Sequence, residues 1–262
     1  MKILVCVKQV PGSNRVEVDP ETGVLKRNGV QSKINPYDLY AIESALSLAE
    51  RFGGTVESLT MGPPQARSVI EECVCMGAEK GYVLSDRAFA GADVLATSYA
   101  LSQGVKLCGP YDLILCGKQT TDGDTAQVGA ELAEFLHLPH VAGVTSVDEI
   151  TETEVFLTVT SENGWMKEKV SLPCLISMDA DINTPRLPSY RIKKNLKDDC
   201  VVFYGLNDLP DSSPERYGLK GSATQVERIF PPEKNSERIH LEGDADSQAQ
   251  QLCDLLRRKK LI

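Results

Sequence analysis

The stretch YDLILCGKQTTDGDTAQVG, residues 111–129, most constrains what this chain can fold into. Leu113, Ile114, Leu115 and Cys116 make a continuous apolar run that stops at Gly117, as a strand buried on both faces does. A polar loop follows, then a helical pattern from near Asp124 with an apolar face at Val128, Leu132, Phe135 and Leu136. A strand, a loop of small residues and a helix start form the arrangement in which α/β proteins hold nucleotides. The helix N-terminus offers unpaired N–H groups and about half a unit of positive charge to a phosphate. Gly117, Gly123, Thr125 and Ala126 are small enough to let one approach. Asp124 with Gln127 also reads as a capping box that uses those donors internally. The carboxylates of Asp122 and Asp124 repel a phosphate unless they turn away or take ribose hydroxyls. The loop alone leaves a nucleotide site and a plain capped turn both open. No Lys-Ser/Thr pair follows Gly123 and no GxGxxG occurs, so the stretch is neither a P-loop nor the dinucleotide fingerprint.

Around this unit, strand and helix patterns alternate with short links. Residues 2–8 are apolar at nearly every position and read as a first strand. Asn35-Pro36-Tyr37-Asp38 opens a helix with an N-cap, a proline at the first helical position and an acid in the first turn. Its stripe is Leu39, Ile42, Leu46 and Ala49, and it ends at Gly53-Gly54. Residues 55–61 are a second strand, ending at Met61-Gly62, followed by a helix burying Ala66, Val69, Ile70 and Cys73. Residues 80–84 are a third strand and 93–107 a helix. Such alternation predicts a parallel sheet with helices on both faces and right-handed crossovers, a Rossmann-like α/β fold. Ligands of such sheets bind beyond the carboxyl ends of the strands. Here those ends are Val7-Lys8-Gln9, Met61-Gly62, and the loop from Gly117 to Thr125. The polar connection after the first strand, with turn signals at Asp19-Pro20 and Asn28-Gly29, is expected to lie over a ligand.

Composition narrows the function classes. A net charge of −9 argues against general nucleic-acid or anionic-membrane binding. The N-terminal apolar run is too short for a signal peptide and no stretch reaches the ~18 apolar residues of a membrane helix, so a cytoplasmic protein is expected. The eight cysteines include no CxxC pair and several sit in apolar patterns, which predicts free buried thiols in a reducing compartment. His137 and His140 flank Leu138-Pro139 at a helix end, where the proline forbids a shared helical face, so no metal site is expected.

After His140 the period changes to that of a hairpin. Val155, Leu157 and Val159 alternate, Glu162-Asn163-Gly164 turns, and Met166, Glu168, Val170 and Leu172 return. Trp165, the single tryptophan, is expected to pack in this hairpin. Residues 173–178 are the last core-like run. Beyond Asp179, prolines interrupt the chain and apolar faces vanish until residues 247–260, where Ala249, Leu252, Cys253 and Leu256 stripe a final helix. The expected division is an α/β domain over 1–185 and, over 186–262, a loop and extended arm that cannot make its own core and must lie on this domain or on a partner.

Seven segments then converge in order: VCVKQVP at the start, NPYD at 35–38, MGP at 61–63, GKQTTDGDTAQVG at 117–129, PCLIS at 173–177, MDADINTPRLPSYR at 178–191 and GLKGSATQVERIFPP at 218–232. In this order they resemble the β subunit of electron-transfer flavoprotein. A departure falls at the hairpin tip, where Glu162-Asn163-Gly164-Trp165-Met166 replaces the usual acidic-glycine run.

The resemblance implies a heterodimer with an α subunit that carries the shuttling FAD. It implies nucleotide contacts at Cys6, at Asn35, Tyr37 and Asp38, at Met61, and along Gln119, Thr120, Thr121, Asp122, Gly123, Asp124, Thr125, Ala126, Gln127, Val128 and Gly129. Together with Val7, Lys8, Gly62 and Gly117 from the strand ends, these are the candidate cofactor residues. It further implies a leucine that docks an acyl-CoA dehydrogenase, here Leu187, followed by Pro188. The nucleotide in such a subunit is AMP in single-electron carriers. In electron-bifurcating members it is a second FAD, which takes hydride from NADH and passes a low-potential electron to ferredoxin or flavodoxin. Small side chains at Gly123, Thr125 and Ala126 leave room for the pyrophosphate of FAD and favour that reading. Hydride transfer to a flavin requires no protein acid or base, so no catalytic residue is assigned. An ATP-pyrophosphatase-like or nucleotide-sensing domain is the alternative of another class. It would need an SGGxDS-type loop after the first strand, where this chain has KQVPGSN. An interaction module with an empty crevice is the remaining alternative.

Overall fold

The computed structural model describes residues 1–12, 17–18, 25–26, 32–161, 164–180, 182–227 and 238–262. The turn signals at Asp19-Pro20 and Asn28-Gly29, and Glu162-Asn163 of the hairpin tip, lie outside the described residues. In chain order the first half comprises β1 (Lys2–Cys6), β2 (Gln9–Pro11), β3 (Glu17–Val18), β4 (Leu25–Lys26), β5 (Ser32–Ile34), α1 (Pro36–Phe52), β6 (Thr55–Met61), α2 (Arg67–Met76), β7 (Lys80–Leu84), α3 (Val94–Cys108), β8 (Leu113–Gly117) and α4 (Val128–Leu136). The second half comprises β9 (His140–Ile150), β10 (Glu154–Ser161), β11 (Gly164–Ser171), β12 (Cys174–Met178), α5 (Tyr190–Lys194), β13 (Val201–Tyr204), α6 (Gly218–Gly221) and α7 (Ala245–Arg258).

Nine strands form one sheet in the order β11-β10-β9-β12-β8-β1-β6-β7-β13. All neighbours from β9 to β13 run parallel, and β10 pairs antiparallel with both β9 and β11. The expected α/β architecture is therefore present. Period-two alternation sorts the strands between two cores. Ile3, Val5, Leu113, Leu115 and Ile176 face the side covered by α1 and α2, while Leu4, Cys6, Leu59, Ile114 and Cys116 face the side covered by α3 and α4. Each fully buried aliphatic side chain contributes roughly 1.5–3 kcal/mol, so the central strands are where most stability resides.

The chain leaves β1 toward β6 and β7, then crosses back so that β8 lies on the other side of β1. This reversal opens a crevice between β1 and β8 at their carboxyl ends, the position at which open α/β sheets bind ligands. It is the feature of the fold that places the site.

Two local expectations are corrected, and one strand is added. The helix after β8 starts at Val128 rather than near Asp124, because Asp124 and Ala126 hold left-handed φ values of +54° and +55° and cannot be helical. Trp165 does not pack in the hairpin but stands 73% exposed on β11. β13 had no periodic signal. Its four residues are a strand because they pair with β7 at the sheet edge, a tertiary effect.

The described structure divides into two compact units, residues 1–227 and 228–262. The first contains the whole sheet, to which the stretch after residue 185 contributes the edge strand β13. In the second, α7 is capped by Asp244, whose side chain accepts from the Ser247 N–H at 2.9 Å, and none of its residues is buried. Among the described residues no helix is long and apolar enough to cross a membrane.

Candidate functional site

Asn35 organises the crevice. It is fully buried at the N-cap position of α1, yet its side chain caps no helical N–H. Instead its Nδ2 donates to the Gln119 carbonyl at 2.8 Å and to Asp38 Oδ1 at 2.9 Å, and its Oδ1 accepts from the Thr121 N–H at 3.2 Å. Its own N–H donates to the Lys8 carbonyl at 2.9 Å. One side chain therefore ties the end of β1, the start of α1 and the loop after β8. A neutral amide suits this because it offers donors and an acceptor at once.

Asp38 completes the junction. Its Oδ2 accepts from the Lys8 N–H at 2.7 Å, and burial pushes its carboxyl up to about 7 against hydrogen bonds from Asn35, Lys8 and the Gly117 backbone. Gly117 must lack a side chain here: a Cβ would lie 2.4 Å from Asp38 Oδ1 and 2.7 Å from the Tyr37 backbone carbon. Gly129 is under the same constraint, since a Cβ would come within 2.5 Å of Ser177 Oγ. Ser177 Oγ is in turn 2.9 Å from His140 Nε2, which explains that histidine without a metal. Among the described residues no cluster could hold one.

The carboxylates that threatened to repel a phosphate are engaged elsewhere. Asp122 pairs with Lys8 Nζ at 2.8 Å; although burial pulls its carboxyl up, that hydrogen bond and charge hold it below the ordinary range. Asp124 accepts from Gln119 Nε2 at 2.6 Å, and the same nitrogen lies 3.3 Å from the Tyr37 hydroxyl. The capping box is absent, since Gln127 occupies the N-cap of α4 and makes no side-chain cap. The donors at the start of α4 thus remain free of an internal cap. The left-handed φ at Ala126, a residue without a polar group to compensate, costs on the order of 1 kcal/mol, a strain characteristic of ligand-clamping loops.

A cavity of about 430 Å³ opens at this end of the sheet. Cys6, Val7, Lys8, Asp38, Met61, Gly117, Gln119, Thr120, Gly123, Thr125, Ala126, Gln127, Val128 and Gly129 line it, drawing the three expected segments together. Asn35, Tyr37, Thr121, Asp122 and Asp124 do not line it but brace the residues that do. Gly62 also lies off the wall, donating its N–H to the Leu84 carbonyl at 3.0 Å. Cys6 and Cys116 sit in register on adjacent strands at the floor, and hydrogen bonding to Cys6 and burial push the Cys116 thiol well up.

A fourth wall was missed by sequence reasoning: Phe89, Gly91, Ala92, Asp93, Val94 and Thr97, the entry to α3. Asp93 caps that helix, accepting from the Ala96 N–H at 3.0 Å, and also holds the Thr224 N–H and hydroxyl at 2.8 and 3.0 Å. The signal was available in Gly91-Ala92-Asp93, a small-residue turn and N-cap at the same end of the sheet. Two helix N-termini therefore face one cavity.

The segment 183–186 lies on α1, and Ser189 donates its N–H to the Cys75 carbonyl of α2 at 2.8 Å. Arg186 donates from Nε and Nη2 to Glu43 at 2.8 and 2.9 Å and from Nη1 to Glu50 at 2.5 Å, and its backbone N–H reaches Glu43 at 2.9 Å. Strapped in this way, the loop presents Leu187 89% exposed, with Pro188 exposed beside it.

Residues 22–198 match the model of the electron transfer flavoprotein domain. The chain is 40% identical to the caffeyl-CoA reductase-Etf complex subunit CarD of Acetobacterium woodii over 264 aligned positions, covering all of both chains. The chain belongs to the electron transfer flavoprotein family. It is also 39% identical to the electron transfer flavoprotein subunit beta of Thermoanaerobacterium thermosaccharolyticum, again over all of both chains. It is 42% identical to the protein FixA of Bradyrhizobium diazoefficiens over 98% of this chain and 91% of that one. In electron transfer flavoprotein terms this is a β-type chain. Its crevice brings the uncapped start of α4 to the cavity, while Asp122 and Asp124 of the loop are engaged by Lys8 and Gln119.

Proposed function

We propose that this chain is the β subunit of a heterodimeric, electron-bifurcating electron transfer flavoprotein and holds FAD in the cavity between β1 and β8. The observation that carries the FAD reading is the fourth wall. The cavity runs past the strand ends to the start of α3, so a ligand seated on the loop after β8 extends toward a second helix N-terminus. A mononucleotide such as AMP, the alternative, would leave that end unused.

In this reading the chain's residues bind and orient. The backbone of Gly123, Thr125 and Ala126 and the first turn of α4 receive the pyrophosphate, where uncapped N–H groups and the helix dipole favour anions. Lys8, already in the wall, supplies the cation. Asn35 and Asp122 hold these groups in place rather than touching the ligand. Cys6, Cys116 and Met61 form a polarisable, apolar floor suited to a flat ring. The chemistry that bound FAD supplies is acceptance of hydride from NADH and separation of its two electrons, one toward an acyl-CoA dehydrogenase by way of the α-subunit FAD and one to ferredoxin or flavodoxin. The name of the Acetobacterium relative ties it to a reductase of a CoA thioester, which supports a partner of that class. Leu187 and Pro188, exposed on the loop that Arg186 straps to α1, are the docking contact. All eight cysteines are free, which suits a reducing, cytoplasmic setting.

The test is anaerobic titration of the purified heterodimer with NADH, followed by flavin absorbance. The bifurcating reading predicts that NADH bleaches flavin directly and that reduction of a ferredoxin or flavodoxin requires the acyl-CoA dehydrogenase and its substrate. Flavin that NADH leaves oxidised would contradict it.

A further inference from the structure

The motif GLKGSAT, residues 218–224, contributes nothing to the cavity lining, yet with Tyr217 it grips the fourth wall residue by residue. Tyr217, 1% exposed, sets its ring 5.4 Å from that of Phe89 in the wall. Gly218 has a φ of +54°, and a Cβ there would collide with the carbonyl oxygens of Ala88 and Ala90, so backbone rests on backbone. The Leu219 N–H donates to the Ala90 carbonyl at 3.1 Å. Ser222 Oγ accepts from the Asp93 N–H at 2.9 Å and donates to the Gly218 carbonyl at 2.7 Å.

Asp93 joins the wall to this segment. Its Oδ1 caps α3 through the Ala96 N–H, and its Oδ2 takes the N–H and hydroxyl of Thr224. Burial pulls its carboxyl up, but those donors hold it below the ordinary range, so the bonds are to a charged acceptor at neutral pH. Gly91, at a φ of +75°, and Ala92 have no polar side chain with which to fix themselves. Without the segment, ordering this part of the wall would fall to the ligand and be subtracted from its affinity. A ligand confined to the loop after β8 and the start of α4 does not reach the wall and bears no such cost. A ligand that spans the cavity does.

We infer that Asp93, through Ser222 and Thr224, is a specificity-determining positioning residue: it holds the fourth wall ready for a dinucleotide and is indifferent to a mononucleotide. The inference rests on the proposed reading of the cavity as a dinucleotide site. It gives the GLKGSAT motif a role at the site without contact with the ligand.

The test is calorimetric titration of FAD, and separately of AMP, into the heterodimer depleted of the nucleotide held by this chain. Ser222→Ala combined with Thr224→Val removes both hydroxyls and leaves the Asp93 cap of α3 in place. The double variant should bind FAD about tenfold more weakly than the wild type and AMP equally well. Thr224→Ser, which keeps the hydroxyl, should bind FAD as the wild type does. Amide hydrogen exchange on the unaltered protein reads the same coupling and stands even where the double variant folds poorly: FAD should slow the Asp93, Leu219 and Thr224 amides, and AMP should not. Unchanged FAD affinity in the double variant, FAD and AMP weakened alike, or amides that FAD leaves unslowed would each overturn the proposal while leaving the cavity reading intact. A wild type that takes AMP and refuses FAD would remove both.

Discussion

Gly117 shows how much of the site is decided by single atoms. A methyl group there would lie 2.4 Å from Asp38 Oδ1 and 2.7 Å from the backbone of α1, neither of which can yield without moving the helix. Gly117→Ala should therefore cost about 1–3 kcal/mol in a urea melt and abolish nucleotide retention; a variant that keeps its nucleotide would contradict the account. Asp38 gives the opposite kind of signature. Its folded value, raised from 3.8 to about 7, means that the folded state binds the extra proton between those values. Stability should therefore decline as pH rises through that window and level off above it, by up to about 4 kcal/mol. The difference in urea midpoint between the wild type and D38N, followed from pH 4 to pH 8, measures this. Asn35 illustrates the limit of sequence reading at this scale. As an N-cap it was legible, but its bonds are to segments distant in the chain, which no local pattern reports.

At the scale of the element, the strand–loop–helix unit was legible because apolar runs and small residues are local signals. β6 and β7 match their sequence bounds for the same reason. The start of α4 was not, because Asp124 and Gln127 mimic a capping box and nothing local says that Ala126 is left-handed. β13 and the α3 wall were illegible in a different way: one exists only by pairing with β7, and the other reaches the crevice only because the sheet reverses at β1. The strained loop makes its own prediction. Ala126→Gly removes the Cβ penalty, and the variant should be more stable by up to about 1 kcal/mol in chemical denaturation. The loop is rigid through Asn35 and Gln119, so the nucleotide affinity of A126G should change little. A large loss of affinity would show that Ala126 contacts the ligand through its side chain.

At the scale of the molecule, the two ends of the sheet do different work. The carboxyl ends of the strands carry the crevice, while nearer their amino ends Glu57, 2% exposed, accepts the hydroxyls of Tyr82 and Tyr111 at 3.0 and 2.6 Å with Lys2 Nζ at 3.2 Å. Burial pulls this carboxyl up, but its three donors hold it below 4.5. Its contribution is therefore present at neutral pH and lost as pH falls through its folded value. Removing its charge in Glu57→Gln should destabilise the fold by about 3 kcal/mol, since two buried hydroxyls and a lysine lose their charged acceptor and keep only a neutral one, and leave nucleotide content unchanged. A stable E57Q, or one that loses nucleotide, would contradict this division of labour.

The central claim is that the crevice between β1 and β8 holds FAD, and the most direct measurement is to count it. The heterodimer is denatured, and the released FAD and AMP are quantified by chromatography against protein. The account predicts about two FAD per heterodimer, no AMP, and the loss of one FAD in G117A. One FAD with one AMP would contradict it.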